Sequence, residues 1–105
     1  MEIRETSYFT KAILKLLDRE SYRLLQLSLA AHPESGALIR GSGGLRKIRW
    51  SGSGRGKRGG TRVIYYWARE DGVILMLMAY AKNEAPDLTK DQVEVLRRVV
   101  EEEFK

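Results

Sequence analysis

The chain has 105 residues, a formal net charge of +5 and no cysteine. This length predicts a single domain that spans residues 1–105. The absence of cysteine excludes a disulfide framework, a thiolate zinc site and a cysteine nucleophile.

The first third of the chain predicts a short strand and two helices. Residues 3–7 can form the strand, and Thr10 can cap the first helix. Asp18 can cap the second helix, in which leucines recur every three or four residues, as a buried helical face requires. His32 is the only histidine and precedes Pro33 in a turn that ends this helix, so acid–base chemistry is expected to use Lys, Arg, Tyr or Glu.

The rest of the chain predicts three strands and a helix. Residues 45–50 alternate, and residues 61–68 are rich in β-branched and aromatic side chains. Residues 73–80 form an unbroken apolar run, which is typical of a central strand. Thr89 and Gln92 have the spacing of a capping box at the start of the last helix. The order predicts an α+β domain, in which the two N-terminal helices pack on an antiparallel sheet.

No segment is expected to enter a membrane. The longest apolar run, residues 73–81, is too short for a helical span of about 20 residues. The N-terminus is charged from residue 2 onwards and lacks the apolar core of a signal peptide. The sequence therefore predicts a cytoplasmic protein without membrane contact.

The charge of the chain is concentrated in one stretch. Residues 40–69 contain nine Lys or Arg, eight Gly and no Asp or Glu, so the other residues are net negative. A positive field of this kind on a small domain indicates a polyanionic partner, of which nucleic acid is the commonest. Because the stretch ends in the predicted strand 61–68, its charges are expected on a sheet rather than on a tail.

The glycine-rich segment 54–59 matches the letters of a dinucleotide-binding fingerprint, but a strand follows it where that motif requires a helix. A Walker-type phosphate loop is also excluded, because Lys57 is followed by Arg58 and not by Ser or Thr. The favoured interpretation is a basic loop that lies over a phosphate backbone, with Lys57 and Arg58 adding charge. The alternative is a solvated loop without a ligand.

Alternation places Arg46 on one face of strand 45–50 and Lys47 and Arg49 on the other. Arg62 begins the next strand and would lie near Arg49 if the two strands pair. Two neighbouring guanidinium groups repel each other unless an anion joins them, and a phosphate is the natural anion. The alternative is that these cations are neutralised by a carboxylate of Glu70, Asp71 or Glu84.

The last predicted strand ends in Tyr80-Ala81-Lys82-Asn83-Glu84. Lys82 and Glu84, next to Tyr80, can transfer protons without histidine. The alternative is that these residues only end the strand.

Three blocks of this sequence, residues 43–49, 56–66 and 80–89, resemble the RelE/HigB superfamily of bacterial type II toxins in order and spacing, most of all its HigB-like branch. The resemblance implies the RelE-like fold, which is an N-terminal helical hairpin packed on a twisted antiparallel β-sheet with a C-terminal helix. It also implies an endoribonuclease that needs no metal or other cofactor and cleaves mRNA in the ribosomal A site. The implied partners are the ribosome, mRNA and a helix-turn-helix antitoxin. The protein would contact operator DNA only indirectly, through this antitoxin.

The resemblance also assigns candidate residues. RNA cleavage requires deprotonation of the 2′-hydroxyl, stabilisation of the phosphorane charge and protonation of the 5′-oxygen, and cations usually contribute most. Arg49 and Arg62 would bind the scissile phosphate with help from Lys47, Lys82 would supply the basic group at the strand end, and Glu84 would act as general base or orient Lys82. The residues expected to bind RNA are Arg46, Lys47, Lys57, Arg58 and Tyr80.

Two details leave the acid and base open. Some members carry Arg where this chain has Asn83, and some use a late Tyr, whereas no Tyr follows Tyr80 here.

The sequence leaves two alternative functions. One is a ParE-like relative that inhibits DNA gyrase by protein contact, which would not need a dense cluster of Arg and Lys on two strands. The other is a non-catalytic RNA-binding module, which would expose its aromatic side chains for stacking.

Overall fold

The computed structural model describes residues 1–51, 60–84 and 87–105 of the chain. None of the helices formed by these residues has the length and apolarity that a membrane span requires. The strands are β1 (Glu2–Glu5), β2 (Ala37–Leu38), β3 (Leu45–Trp50), β4 (Thr61–Ala68) and β5 (Val73–Ala81), and the helices are α1 (Ser7–Leu16), α2 (Arg19–Ala31) and α3 (Lys90–Glu103).

The domain is α+β, as predicted, and its five strands form one sheet in the order β1-β5-β4-β3-β2. Neighbouring strands from β2 to β5 pair antiparallel, because their connections have at most ten residues, whereas a parallel crossover needs about a dozen or more. The prediction of a wholly antiparallel sheet is wrong for β1, which pairs parallel to β5. The chain between these two strands includes both N-terminal helices and the rest of the sheet, so no short loop fixes their relative direction. The two-residue strand β2 was not predicted from the sequence.

The two N-terminal helices cover one face of the sheet. Asp18 caps α2 as predicted, and its carboxylate accepts a hydrogen bond from the backbone N–H of Ser21. The predicted cap of α1 is wrong, because Thr6, not Thr10, accepts the bond from Phe9 N–H, and Thr10 lies inside the helix. The cluster that these helices form with the sheet contains Phe9, Ile13, Leu17, Leu25, Leu29, Val63, Tyr65, Ile74, Met76 and Ala79.

The C-terminal helix packs on the opposite face of the sheet. The capping box predicted for it is present, with Thr89 and Gln92 each accepting a hydrogen bond from the other's backbone N–H. Leu96 is the buried residue of α3 and packs against apolar side chains of the sheet. The buried residues on this face are Leu45, Ile64, Leu75, Leu77, Met78, Tyr80 and Leu96.

The register of β4 against β5 shifts by one residue. Ile64 lies opposite Met78 and Tyr65 lies opposite Met76, so that Leu77 is an extra residue in β5. A bulge of this kind changes which face the following side chains occupy. Met76 faces the N-terminal helices, whereas Leu77, Met78 and Tyr80 belong to the cluster under α3.

The turn after α2 is attached to the sheet by two polar side chains. The Tyr65 hydroxyl accepts a hydrogen bond from Gly36 N–H at 2.8 Å and donates one to Pro33 C=O at 2.7 Å. Arg46 Nη1 donates to the carbonyl groups of Glu34 and Gly36, at 2.9 and 2.7 Å. Position 36 requires glycine, because a Cβ there would come within 2.8 Å of the Tyr65 side chain.

We expect Tyr65→Phe to lower the free energy of unfolding by about 1–3 kcal/mol, because it leaves buried backbone groups of the turn without their partner. Urea denaturation measures the change. The matched control is Tyr8→Phe, since Tyr8 is 62% exposed, and its effect is expected to stay within about 0.5 kcal/mol. Equal stability of the two variants would contradict the role of the Tyr65 hydroxyl.

Candidate active site

Three residues from three neighbouring strands form a row across the sheet. Arg49 of β3 lies directly opposite Arg62 of β4, and Arg62 lies directly opposite Tyr80 of β5. Directly opposite residues in a sheet share a face, so the three side chains project to the same side, which is the α3 side that Tyr80 occupies. We call this set the cross-strand row. The sequence-based expectation that Arg49 and Arg62 lie close together is therefore met.

The two arginines of the cross-strand row differ in exposure. Arg62 is 8% exposed, whereas Arg49 is an exposed residue at the outer part of the row. Like charges placed directly opposite each other in a sheet repel. An anion that contacts both guanidinium groups removes this repulsion, and the planar donor fork of arginine matches the oxygens of a phosphate.

Lys47 adds a third cation to the same face, because it precedes Arg49 by two residues in β3. Its Nζ donates to Asp87 Oδ1 at 2.7 Å, and the Asp87 side chain is 74% exposed. The hydrogen bond and the charge of Lys47 hold the pKa of Asp87 below its usual range. The carboxylate that pairs with this face is thus Asp87, which sequence reasoning did not single out.

Tyr80 ends the row at β5 and is 6% exposed. Burial raises the pKa of its phenol, the positive charges of Lys47 and Arg62 act in the opposite direction, and Asp87 acts in the same direction as burial. The phenol therefore lies within the field of the same charged groups and keeps its proton at neutral pH.

Lys82 and Glu84 follow the row in a turn after β5. Lys82 is exposed, and its backbone N–H donates to Gly60 C=O at 3.3 Å. Glu84 Oε1 accepts a hydrogen bond from Ala81 N–H at 3.2 Å, so the carboxylate stabilises the turn in which Glu84 lies. Glu84 also lines a cavity of about 370 Å³ beside α1. Tyr80 of the cross-strand row lines the same cavity, and the catalytic assignment of Lys82 and Glu84 stays a prediction.

The remaining candidate residues lie elsewhere. Arg46 projects from the opposite face of β3, as alternation predicted, and its guanidinium binds the carbonyl groups of the turn after α2. Its expected role in RNA binding stays a prediction. Lys57 and Arg58 lie outside the described residues.

The arrangement can bind one anionic group at the cross-strand row. Three cations, Lys47, Arg49 and Arg62, lie on one face, and Lys47 pairs there with the carboxylate of Asp87. Charged donors fixed on strands stabilise negative charge that develops on a bound group, because they need little reorganisation during a reaction. The site suits a phosphodiester.

The fold resembles that of a known toxin. Over 93% of this chain and 97% of the other, it matches the isolated E. coli RelE toxin with a TM-score of 0.58 and 19% sequence identity. A free E. coli RelE variant, in which two arginines are replaced by alanine, matches over 81% of this chain and 86% of its own, with a TM-score of 0.59 and 18% identity. No protein-family model matches the chain. At this level of identity the likeness establishes a RelE-like fold.

We expect Lys47→Met to raise the pKa of Asp87 towards its usual value of 3.8, because the cation that stabilises the carboxylate is removed. Carboxyl NMR titration of the two proteins measures the change. The pKa of Asp87 is lower in the folded than in the unfolded protein, so its ion pair with Lys47 stabilises the fold at any pH above the unfolded-state pKa. This stabilisation is lost as the pH falls through the folded-state pKa of Asp87. An unchanged Asp87 titration in the variant would contradict the ion pair.

Proposed function

We propose that this protein is the toxin of a type II toxin–antitoxin system and a metal-independent endoribonuclease that cleaves mRNA in the ribosomal A site. The single observation that carries the proposal is the placement of Arg49 directly opposite Arg62, with Lys47 on the same face. A ParE-like inhibitor of gyrase or a passive RNA-binding module would have no need for three cations focused on one phosphate. The RelE-like fold supports the same conclusion.

The proposed reaction uses the 2′-hydroxyl of the RNA as nucleophile. The 2′-oxygen forms a bond to phosphorus while the bond to the 5′-oxygen breaks, which yields a 2′,3′-cyclic phosphate and a 5′-hydroxyl. Arg49 and Arg62 hold the scissile phosphate, and Lys47 adds charge when the phosphate displaces Asp87 from it. Lys82 and Glu84 are proposed to move the two protons at the end of β5.

The proposed partners follow from this reaction. The ribosome presents the message, and the basic residues outside the cross-strand row, including Lys57 and Arg58, contact the RNA backbone. A helix-turn-helix antitoxin neutralises the protein, which works in the cytoplasm and belongs to the HigB-like branch of the superfamily. Operator DNA is contacted only through that antitoxin.

We expect Arg49→Ala to reduce mRNA cleavage about 100-fold or more, because it removes a charged group that stabilises the phosphorane. Primer extension on a translated message after induced expression measures cleavage, and codon-phased cuts are expected for the wild-type protein. Arg49 is exposed, so the variant is expected to unfold at the wild-type temperature. Arg62→Ala is expected to have the same effect on cleavage, but its Tm must be measured too because Arg62 is buried.

The matched control is Arg98→Ala, which removes an arginine from the exposed surface of α3, where it pairs with Glu94. This variant is expected to cleave like the wild type. Growth arrest with an intact message would contradict the nuclease proposal, and loss of gyrase supercoiling in the same cells would favour the ParE-like alternative.

Lys82→Ala and Glu84→Gln test the proton-transfer roles. If both residues act on protons, each substitution is expected to lower the cleavage rate about 100-fold or more and to remove one limb of its pH dependence. Single-turnover cleavage on programmed ribosomes across a pH series measures both effects. If the Glu84→Gln variant keeps the wild-type pH profile, Glu84 does not transfer a proton and serves only to hold the turn after β5.

A further inference from the structure

The hydroxyl of Tyr80 is buried and, within the part of the chain that the structure describes, lacks a hydrogen-bond partner. A buried hydroxyl without a partner is unfavourable for folding, because it has lost its hydrogen bonds to water. Phenylalanine would supply the same apolar contacts with the cluster under α3. Packing therefore explains the aromatic ring at position 80 but not its hydroxyl.

The neighbours of this hydroxyl restrict what it can bind. Tyr80 lies directly opposite Arg62, and the charges of Lys47, Arg62 and Asp87 act on it. Lysine and arginine side chains only donate hydrogen bonds, so they cannot accept the phenolic proton. The Asp87 carboxylate pairs with Lys47 and accepts no hydrogen bond from the Tyr80 hydroxyl. The group that completes this environment is an acceptor with negative charge, which binds the cations and the phenol together.

We infer that Tyr80 is a further catalytic residue, whose hydroxyl donates a hydrogen bond to a non-bridging oxygen of the phosphate held by Arg49 and Arg62. This inference rests on the proposed function. As the 2′-oxygen attacks, negative charge accumulates on the non-bridging oxygens, so a fixed neutral donor is bound more strongly in the transition state than in the ground state. Tyr80 keeps its proton throughout, while the protons of the 2′-hydroxyl and the 5′-oxygen are moved by other groups.

The position of Tyr80 suits a neutral donor. Burial keeps the phenol protonated, as its raised pKa indicates. The phenol is rigid because strand β5 and the apolar cluster fix its ring, so little ordering is required when substrate binds. The cations supply long-range attraction, and the phenol adds a hydrogen bond with a defined direction.

The test is Tyr80→Phe, measured by single-turnover cleavage on ribosomes programmed with a short message. We expect the maximal rate to fall about 100-fold, with little change in the protein concentration that gives half of this rate, since the bond strengthens in the transition state. The Tm is expected to be equal to that of the wild type or higher, because the ring remains and a buried hydroxyl is removed. Tyr66→Phe is the control, since Tyr66 packs against the same apolar cluster, and its cleavage rate is expected to be unchanged.

Sulfur substitution in the A-site codon then locates the bond. With sulfur in place of the contacted non-bridging oxygen, we expect the wild type to slow and the further loss in Tyr80→Phe to be smaller, because both changes remove the same interaction. A Tyr80→Phe variant that cleaves as fast as an active wild type would overturn the inference and leave the proposed function intact. Full rescue of the variant by a 5′-bridging sulfur would also overturn it, since Tyr80 would then protonate the leaving group. A wild type that does not cleave would instead refute the proposed function.

Discussion

The alignment of β3 with β4 is the constraint on which the candidate site depends. It places Arg49 opposite Arg62, and β5 continues the row with Tyr80. A slip of one residue would turn Lys47 and Arg49 towards the N-terminal helices and would bring Arg46 to the α3 side. Apolar side chains oppose such a slip, because Ile48 packs with the cluster under α1 and α2 and Leu45 is buried under α3. The core therefore fixes the geometry of the charged groups.

The cations of β3 have different partners on the two faces of the strand. Arg46 binds carbonyl groups of the turn after α2, next to the Tyr65 hydroxyl that holds the same turn. Lys47 and Arg49 project to the other side, where Lys47 pairs with the exposed carboxylate of Asp87, which the proposed substrate phosphate would replace. Neighbouring residues with the same charge thus have different environments.

Local rules predicted much of the fold from the sequence, although they gave the wrong cap for α1, whereas pairings between distant segments were not predicted. Alternation predicted which face each cation of β3 occupies, and capping chemistry predicted the start of α2 at Asp18 and of α3 at Thr89. The parallel pairing of β1 with β5 depends on a long connection, for which no local rule exists. Asp87 lies in a loop whose contact with Lys47 spans 40 positions, and no periodicity can indicate such a pair.

The extra residue Leu77 has a consequence for how this sheet tolerates insertions and deletions. Strict alternation from Met76 would carry Tyr80 to the side of the N-terminal helices, but the bulge reverses the phase and brings it beside Arg62. Loss of one residue at this point would exchange Tyr80 with its alanine neighbours while the strand itself could still form. The spacing between Met76 and Tyr80 is therefore as much a determinant of the site as the identity of either residue.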